Sequence, residues 1–265
     1  MNVLEAVILG IIQGMAEFLP ISSSGHLVLF QNLFGLKENP RLFDVILHVG
    51  TLVPIFIVYR RDIGALIKRP LQRMTGILII GTVPAVAAAL FFEERIDALF
   101  KGGAPLALAF ILTGLFLLYS DNVLEGSKTE RKVTILDGLI IGVMQAVAIP
   151  PGVSRSGSTI TGALACRLDR QTAAKFSFLL SIPVIVGAAV LEGVSIYREG
   201  LRFTESDIKI YAFGFAAAAL TGYLSIKFML RLVTNCKLKY FALYVFLLAA
   251  FILLDVYFIH TFPWG

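Results

Sequence analysis

The side chains that do most metal and redox chemistry are scarce: 265 residues hold three histidines, two cysteines and one tryptophan. Cys166 and Cys236 fit no metal-ligand spacing, which excludes a thiolate zinc site, and they read as free packing thiols near cytoplasmic segment ends. Charge is scarce as well. Charged residues make up 15% of the chain, against about a quarter in soluble domains, which excludes a water-soluble fold. Met1 to Phe18 contain no Lys or Arg but do contain Glu5, Gln13 and Glu17. They therefore lack the basic start and unbroken apolar core of a secretory signal and are expected to belong to the mature structure. No face combines basic and aromatic residues for nucleic acid, so a net charge of +5 points to anionic lipid instead.

What the chain has is hydrocarbon: 57% hydrophobic residues and a mean hydropathy of +0.84. Charge-poor stretches of spanning length run over Phe43 to Tyr59, Met74 to Phe92, Ala104 to Tyr119, Ala173 to Leu191, Ile208 to Leu232 and Tyr240 to Ile259. Two further apolar segments, Asn2 to Phe34 and Leu136 to Ala165, are each broken at the middle by Pro, Gly and a Ser cluster. They are read as re-entrant helix pairs, the competing form being a kinked full span.

The two broken segments are copies. Gly10, Gln13, Ser22, Ser24 and Gly25 recur 132 positions later as Gly142, Gln145, Ser154, Ser156 and Gly157. The expected fold is an all-α polytopic membrane protein, one integral membrane domain of two repeats, about 1–120 and about 133–262. Each repeat has a re-entrant pair (2–34 and 136–165) and three spans. An odd number of spans per repeat makes the topology inverted, with both re-entrant tips near the midplane and a polar site between them.

Short loops allow the positive-inside rule to be applied. Arg60, Arg61, Lys68, Arg69 and Arg73, then Lys128, Arg131 and Lys132, then Arg167, Arg170 and Lys175, then Lys227, Arg231, Lys237 and Lys239 fall on one side. The other side collects Lys37, Arg41, Arg95, Lys101, Arg198, Arg202 and Lys209. The richer side is cytoplasmic, and both termini lie outside.

Gln13 and Glu17 share a helix face that Pro20 ends, and Ser22-Ser23-Ser24-Gly25-His26 opens the next helix. In the second copy Pro150-Pro151-Gly152 breaks the chain before Ser154-Arg155-Ser156. Two helix starts, hydroxyls and one guanidinium suit a phosphoryl group. A charge at mid-bilayer costs roughly 2.5–3.5 kcal/mol, so Glu17 and Arg155 need partners or a ligand, and a structural ion pair between them is the plainer alternative. Ser23 and His26, one helical turn apart, are placed to face each other as nucleophile and base. Asp44 and His48, one turn apart near the outer end of the first span, could line the pocket, although a polar pair at that position is more often an interfacial contact. His260 and Trp264 fall at the membrane edge, where aromatic anchors are ordinary.

Gln13-Gly-Met-Ala-Glu17 with Phe18-Leu-Pro20-Ile-Ser22-Ser23-Ser24-Gly25-His26, and Pro151-Gly152-Val-Ser154-Arg155-Ser156-Gly-Ser-Thr159, carry two long motifs. In these, and end to end, the chain resembles the undecaprenyl-diphosphate phosphatases of the bacitracin-resistance type. The resemblance implies hydrolysis of undecaprenyl diphosphate to undecaprenyl phosphate and inorganic phosphate in the bacterial plasma membrane. That reaction recycles the lipid carrier for cell-wall synthesis, confers bacitracin resistance and requires a divalent cation, Mg2+ or Ca2+. It implies Ser23 as nucleophile, His26 as base or proton donor, Glu17 as metal or water ligand, and Arg155 as clamp. Gln13, Ser22, Ser24, Gly25, Gly152, Ser154, Ser156 and Thr159 would surround the substrate. Many members carry Glu where this chain has Gln13, so two carboxylates from this helix face are not available to a metal. The order of attack, Ser23 or His26, stays open, as does the choice between a single chain and a homodimer.

A phosphatidic-acid-type phosphatase needs a second histidine a few residues after its Ser-Arg; Thr161 and its neighbours include none, and that reading is rejected. A transporter or flippase of the lipid phosphate is the alternative from another class, since inverted repeats with broken helices serve transport too. The Ser23 and His26 pair favours an enzyme.

Overall fold

The sequence's two capping boxes stand 132 residues apart and start the same helix in each half. Asn2 caps through its side chain to the Glu5 amide while Glu5 reaches back, and Thr134 with Asp137 does the same. In the computed structural model, which describes residues 1–36, 41–99, 102–123, 126–199, 203–235, 237–262 and 264, these boxes open α1 (Val3–Phe18) and α7 (Ile135–Val147). Lys37, Lys101, Arg202 and Cys236 lie outside the described residues.

The order continues with α2 (Ser23–Leu33), α3 (Arg41–Val58), α4 (Arg60–Lys68), α5 (Arg73–Leu99) and α6 (Gly103–Asn122) in the first half. The second half has α8 (Arg155–Ala165), α9 (Arg170–Glu199), α10 (Glu205–Asn235) and α11 (Lys239–Leu254). Among the described residues six helices are long and apolar enough to cross a membrane, within Arg41–Val58, Arg73–Phe92, Gly103–Asn122, Arg170–Glu199, Glu205–Val233 and Lys239–Ile259. Each matches one expected span, so the protein is all-α and polytopic. The remaining helices of the two broken segments are short. α1 has 16 residues and α2 has 11, or about 24 and 17 Å at 1.5 Å per residue, against a hydrocarbon layer of about 30 Å. The basic segment after the first span, read as a loop, forms α4, whose Ile63 is buried.

The packing repeats when the halves are exchanged. α1 lies on α10 as α7 lies on α5; α3 meets α10 as α9 meets α5; and α3 with α9, and α6 with α11, form the self-matching pairs. α1 and α7 are thus each seated against a span of the opposite half. Close approach of backbones explains two glycines of the repeat. A Cβ on Gly10 would lie 2.4 Å from the Gly214 carbonyl oxygen, and one on Gly142 would lie 2.3 Å from that of Gly81.

Candidate active site

α1 ends at Phe18, just before Pro20, and Ser22 caps α2 by accepting the Gly25 amide at 3.3 Å. Ser154 caps α8 in the same way, accepting the Gly157 amide at 3.0 Å. Each cap hydroxyl lies near the serine two residues on: Ser22 to Ser24 at 3.4 Å and Ser154 to Ser156 at 3.3 Å. The two breaks touch. The Ser156 hydroxyl donates to the Leu19 carbonyl at 3.2 Å, and a Cβ on Gly25 would stand 2.8 Å from the Gly152 Cα. Gly152 holds φ at 93°, a conformation that suits glycine. Thr113 of α6 braces this turn, donating to the Gly152 carbonyl and accepting the Ser154 amide, both at 2.9 Å.

At this junction Glu17, 5% exposed, gathers donors from both halves. Its Oε1 accepts Arg155 Nη2 at 2.5 Å, while Oε2 accepts the Ser23 hydroxyl at 2.6 Å and the Gln13 amide at 3.0 Å. His48 Nε2 stands 3.6 Å from the same Oε2. The Arg155 guanidinium also reaches the Ser177 carbonyl at 3.4 Å. A carboxylate holding a serine hydroxyl this closely is placed to receive its proton, and the arginine beside it is placed for an anion.

Glu17, Ser23, Ser24 and Arg155 line a cavity of about 500 Å³. Asp44, His48 and Gln31 form another part of its wall, and Leu27, Ala85, Ala89, Val184 and Ala188 supply an apolar side. The cavity therefore has a polar pole and a hydrocarbon one, as a phosphorylated lipid requires. Of the two positions open to Asp44 and His48, pocket or interface, the structure shows them on the cavity wall. Asp44 accepts the Gln31 amide at 2.7 Å, and His48 donates Nδ1–H to the Asp44 carbonyl, also at 2.7 Å, leaving Nε2 toward Glu17.

Ser23 and His26 do not face each other as the sequence suggested. Ser23 turns to Glu17, whereas His26 donates Nδ1–H to the Ser22 carbonyl at 2.7 Å. Its Nε2 then accepts the Tyr244 hydroxyl at 2.7 Å, with the two rings stacked at 5.7 Å. His26 is 5% exposed and does not line the cavity. Gln13, Ser22, Gly25, Gly152, Ser154, Ser156 and Thr159 are likewise absent from its wall and build the junction behind it. Thr159 bonds the Arg155 carbonyl at 2.8 Å and the Ser177 hydroxyl at 2.6 Å.

A hard cation prefers oxygen ligands, and Mg2+ in particular combines one or two carboxylates with substrate phosphate oxygens and water. Glu17 and Asp44, both on the cavity wall, fit that division of ligands. Among the described residues no group of three His, Cys, Asp or Glu side chains could hold a metal by itself.

The family sequence model described as bacitracin resistance protein BacA matches residues 6–251. An undecaprenyl-diphosphatase of Carboxydothermus hydrogenoformans is 48% identical over 253 residues, covering 96% of this chain and 97% of that protein. Undecaprenyl-diphosphatase 3 of Bacillus cereus is 44% identical over 254 residues, with the same coverage. An undecaprenyl-diphosphatase of Geobacter metallireducens is 40% identical over 271 residues, 97% of this chain and 99% of that protein.

Proposed function

Because the chain belongs to the bacitracin resistance protein BacA family, we propose that it hydrolyses undecaprenyl diphosphate to undecaprenyl phosphate and inorganic phosphate. The product returns to cell-wall synthesis, and the same reaction confers bacitracin resistance. The observation that carries the chemistry is the Ser23 hydroxyl held 2.6 Å from Glu17 Oε2, on a cavity wall shared with Arg155.

In this mechanism the terminal phosphoryl group sits against Arg155 and the start of α2. Glu17 takes the proton from Ser23, and Ser23 Oγ bonds to the terminal phosphorus as the bridging P–O bond breaks, releasing undecaprenyl phosphate. Glu17 gives that proton up to the departing undecaprenyl phosphate; water, its own proton passing to the freed Glu17 carboxylate, then attacks the phosphoserine, and this proton returns to Ser23 Oγ as inorganic phosphate departs. Arg155 neutralises charge on the phosphoryl oxygens throughout, the larger part of catalysis in phosphoryl transfer. Glu17 and Asp44 would hold a Mg2+ or Ca2+ ion arriving with the diphosphate, and that ion would offset charge on the diphosphate oxygens. Ser23 is favoured over His26 as nucleophile because both His26 nitrogens are engaged away from the cavity. His26 then positions Ser22, whose carbonyl it bonds.

We read α1 with α2, and α7 with α8, as re-entrant pairs of an inverted repeat, supported by their lengths and the exchanged packing. We read the first pair's opening, and the cavity, as facing outward from the plasma membrane, a reading that the charge distribution supports. The test is phosphate release from undecaprenyl diphosphate by purified protein in detergent, with and without chelator. Turnover that needs the cation and disappears in Ser23→Ala supports the reading. Folded wild-type protein that binds the lipid but releases no phosphate overturns it.

A further inference from the structure

The duplication places Gln13 on α1 and its copy Gln145 on α7, and the two differ in their amide N–H groups, although Oε1 lacks a partner in both. Gln13 donates its amide to Glu17, four residues on. Its counterpart Gln145, on α7, has Ile149 at the matching position. Gln145 is 2% exposed, and neither its Nε2 nor its Oε1 has a hydrogen-bond partner. A buried amide with both polar atoms unsatisfied is costly and is normally retained for a reason. Gln145 also lines the cavity, with Ala148, Ile149, Pro151, Val153 and Arg155 of the same half.

We propose that Gln145 is a substrate-binding residue whose amide N–H donates to a non-bridging phosphate oxygen of the diphosphate, beside Arg155. The ligand must supply acceptors, which the prenyl hydrocarbon lacks and a phosphoryl group has in abundance. The residue that would otherwise satisfy such an amide, a carboxylate one turn on, is present in the first half and replaced by isoleucine in the second. The first repeat thus brings the Ser23 and Glu17 pair, and the second brings Arg155 and a free amide, so each half contributes to holding the anion. This inference rests on the hydrolase reading for its substrate but not for its anion site.

The test compares wild type with Gln145→Leu and Gln145→Glu, with Gln145→Met as a second apolar replacement should leucine fail to fold. The readouts are the melting temperature without ligand, the rise in that temperature caused by inorganic diphosphate, and the inhibition constant of inorganic diphosphate against turnover. Leucine should leave the unliganded melting temperature unchanged or higher, because it removes an unsatisfied group. It should weaken diphosphate roughly 10-fold or more, the loss of one hydrogen bond to a charged group, and glutamate should weaken it further by adding a negative charge. Variants that bind inorganic diphosphate as wild type does overturn the inference, whatever their stability. A wild type that binds diphosphate without turnover would instead overturn the hydrolase reading and leave the glutamine test to be read from the thermal shift.

Discussion

Replacing Arg155 by lysine keeps the positive charge and removes the planar fork, which isolates what the geometry of the guanidinium contributes. Of its five N–H groups, one meets Glu17 Oε1 at 2.5 Å and another reaches the Ser177 carbonyl at 3.4 Å. Three remain for the phosphoryl oxygens. A lysine ammonium has three N–H groups in all, and the pull of Glu17 takes one of them. Each hydrogen bond between charged groups contributes about 1.5–3 kcal/mol, and 1.36 kcal/mol is one decade of rate. Losing one such contact in the transition state therefore lowers kcat about 10- to 150-fold, and losing in-line alignment with it brings the expected drop to roughly 100-fold or more. The Glu17 ion pair survives in this variant, so the melting temperature should stay near that of wild type. Alanine at the same position should differ, because Glu17 would be left buried without its cation, at a cost of about 3–5 kcal/mol. The assay is phosphate release against undecaprenyl diphosphate concentration in detergent, with melting curves in parallel. A lysine variant that keeps more than a tenth of wild-type kcat would refute the forked clamp.

Ser23→Ala should remove turnover while the protein still folds and binds the lipid; single-turnover phosphate release that persists in this variant would transfer the nucleophile to another group. Tyr244→Phe strips the partner from His26 Nε2 and should lower stability by about 1 kcal/mol with KM unchanged, read from melting curves and saturation kinetics. Gly10→Val drives a side chain into the Gly214 carbonyl and should abolish monodisperse protein on size exclusion, whereas Gly187→Ala, where a Cβ meets nothing within 4 Å, should not. Burial, with Asp137 beside it, pushes the Cys166 thiol up to about 11. Its thiolate, the reactive form, is then roughly one part in several thousand at pH 7.4; alkylation should be very slow there and quicken as pH rises toward 11, and rapid labelling of Cys166 in folded protein near neutrality would contradict the assignment.

The six spans were legible because length and hydropathy alone decide them, and the two breaks because Pro20 and Pro150-Pro151 forbid a continuous helix. The Glu17 and Arg155 contact was readable for a similar reason: two charges among apolar segments must answer each other. The fate of His26 was not. Its spacing from Ser23 permits a contact, but the ring is held by Tyr244, 218 residues away, and local pattern carries no trace of that partner. Asp44 and His48 were left between pocket and interface because position along a span does not say which neighbour it meets; here both line the cavity and His48 stands beside Glu17 of α1. Gln145 was visible as the copy of Gln13 and went unused, although the change from Glu17 to Ile149 already marked it as an amide without its carboxylate. α4 was missed because five cationic residues around it resemble any cytoplasmic loop.

The seating of Gly10 against Gly214 also sets an order of events during synthesis. At about 5–20 residues per second, the ribosome needs roughly 10–40 s after making α1 to deliver the span on which α1 rests. Through that interval an apolar helix too short to cross the layer, and carrying Glu17, must wait in or beside the lipid without its counter-ion. An assembly chaperone that shelters a short helix with a buried charge, or a late insertion of α1 once α10 has arrived, is the kind of solution such a chain demands. A truncated first half made alone would lack α10, and its first helix would keep only α2 and α3 as neighbours.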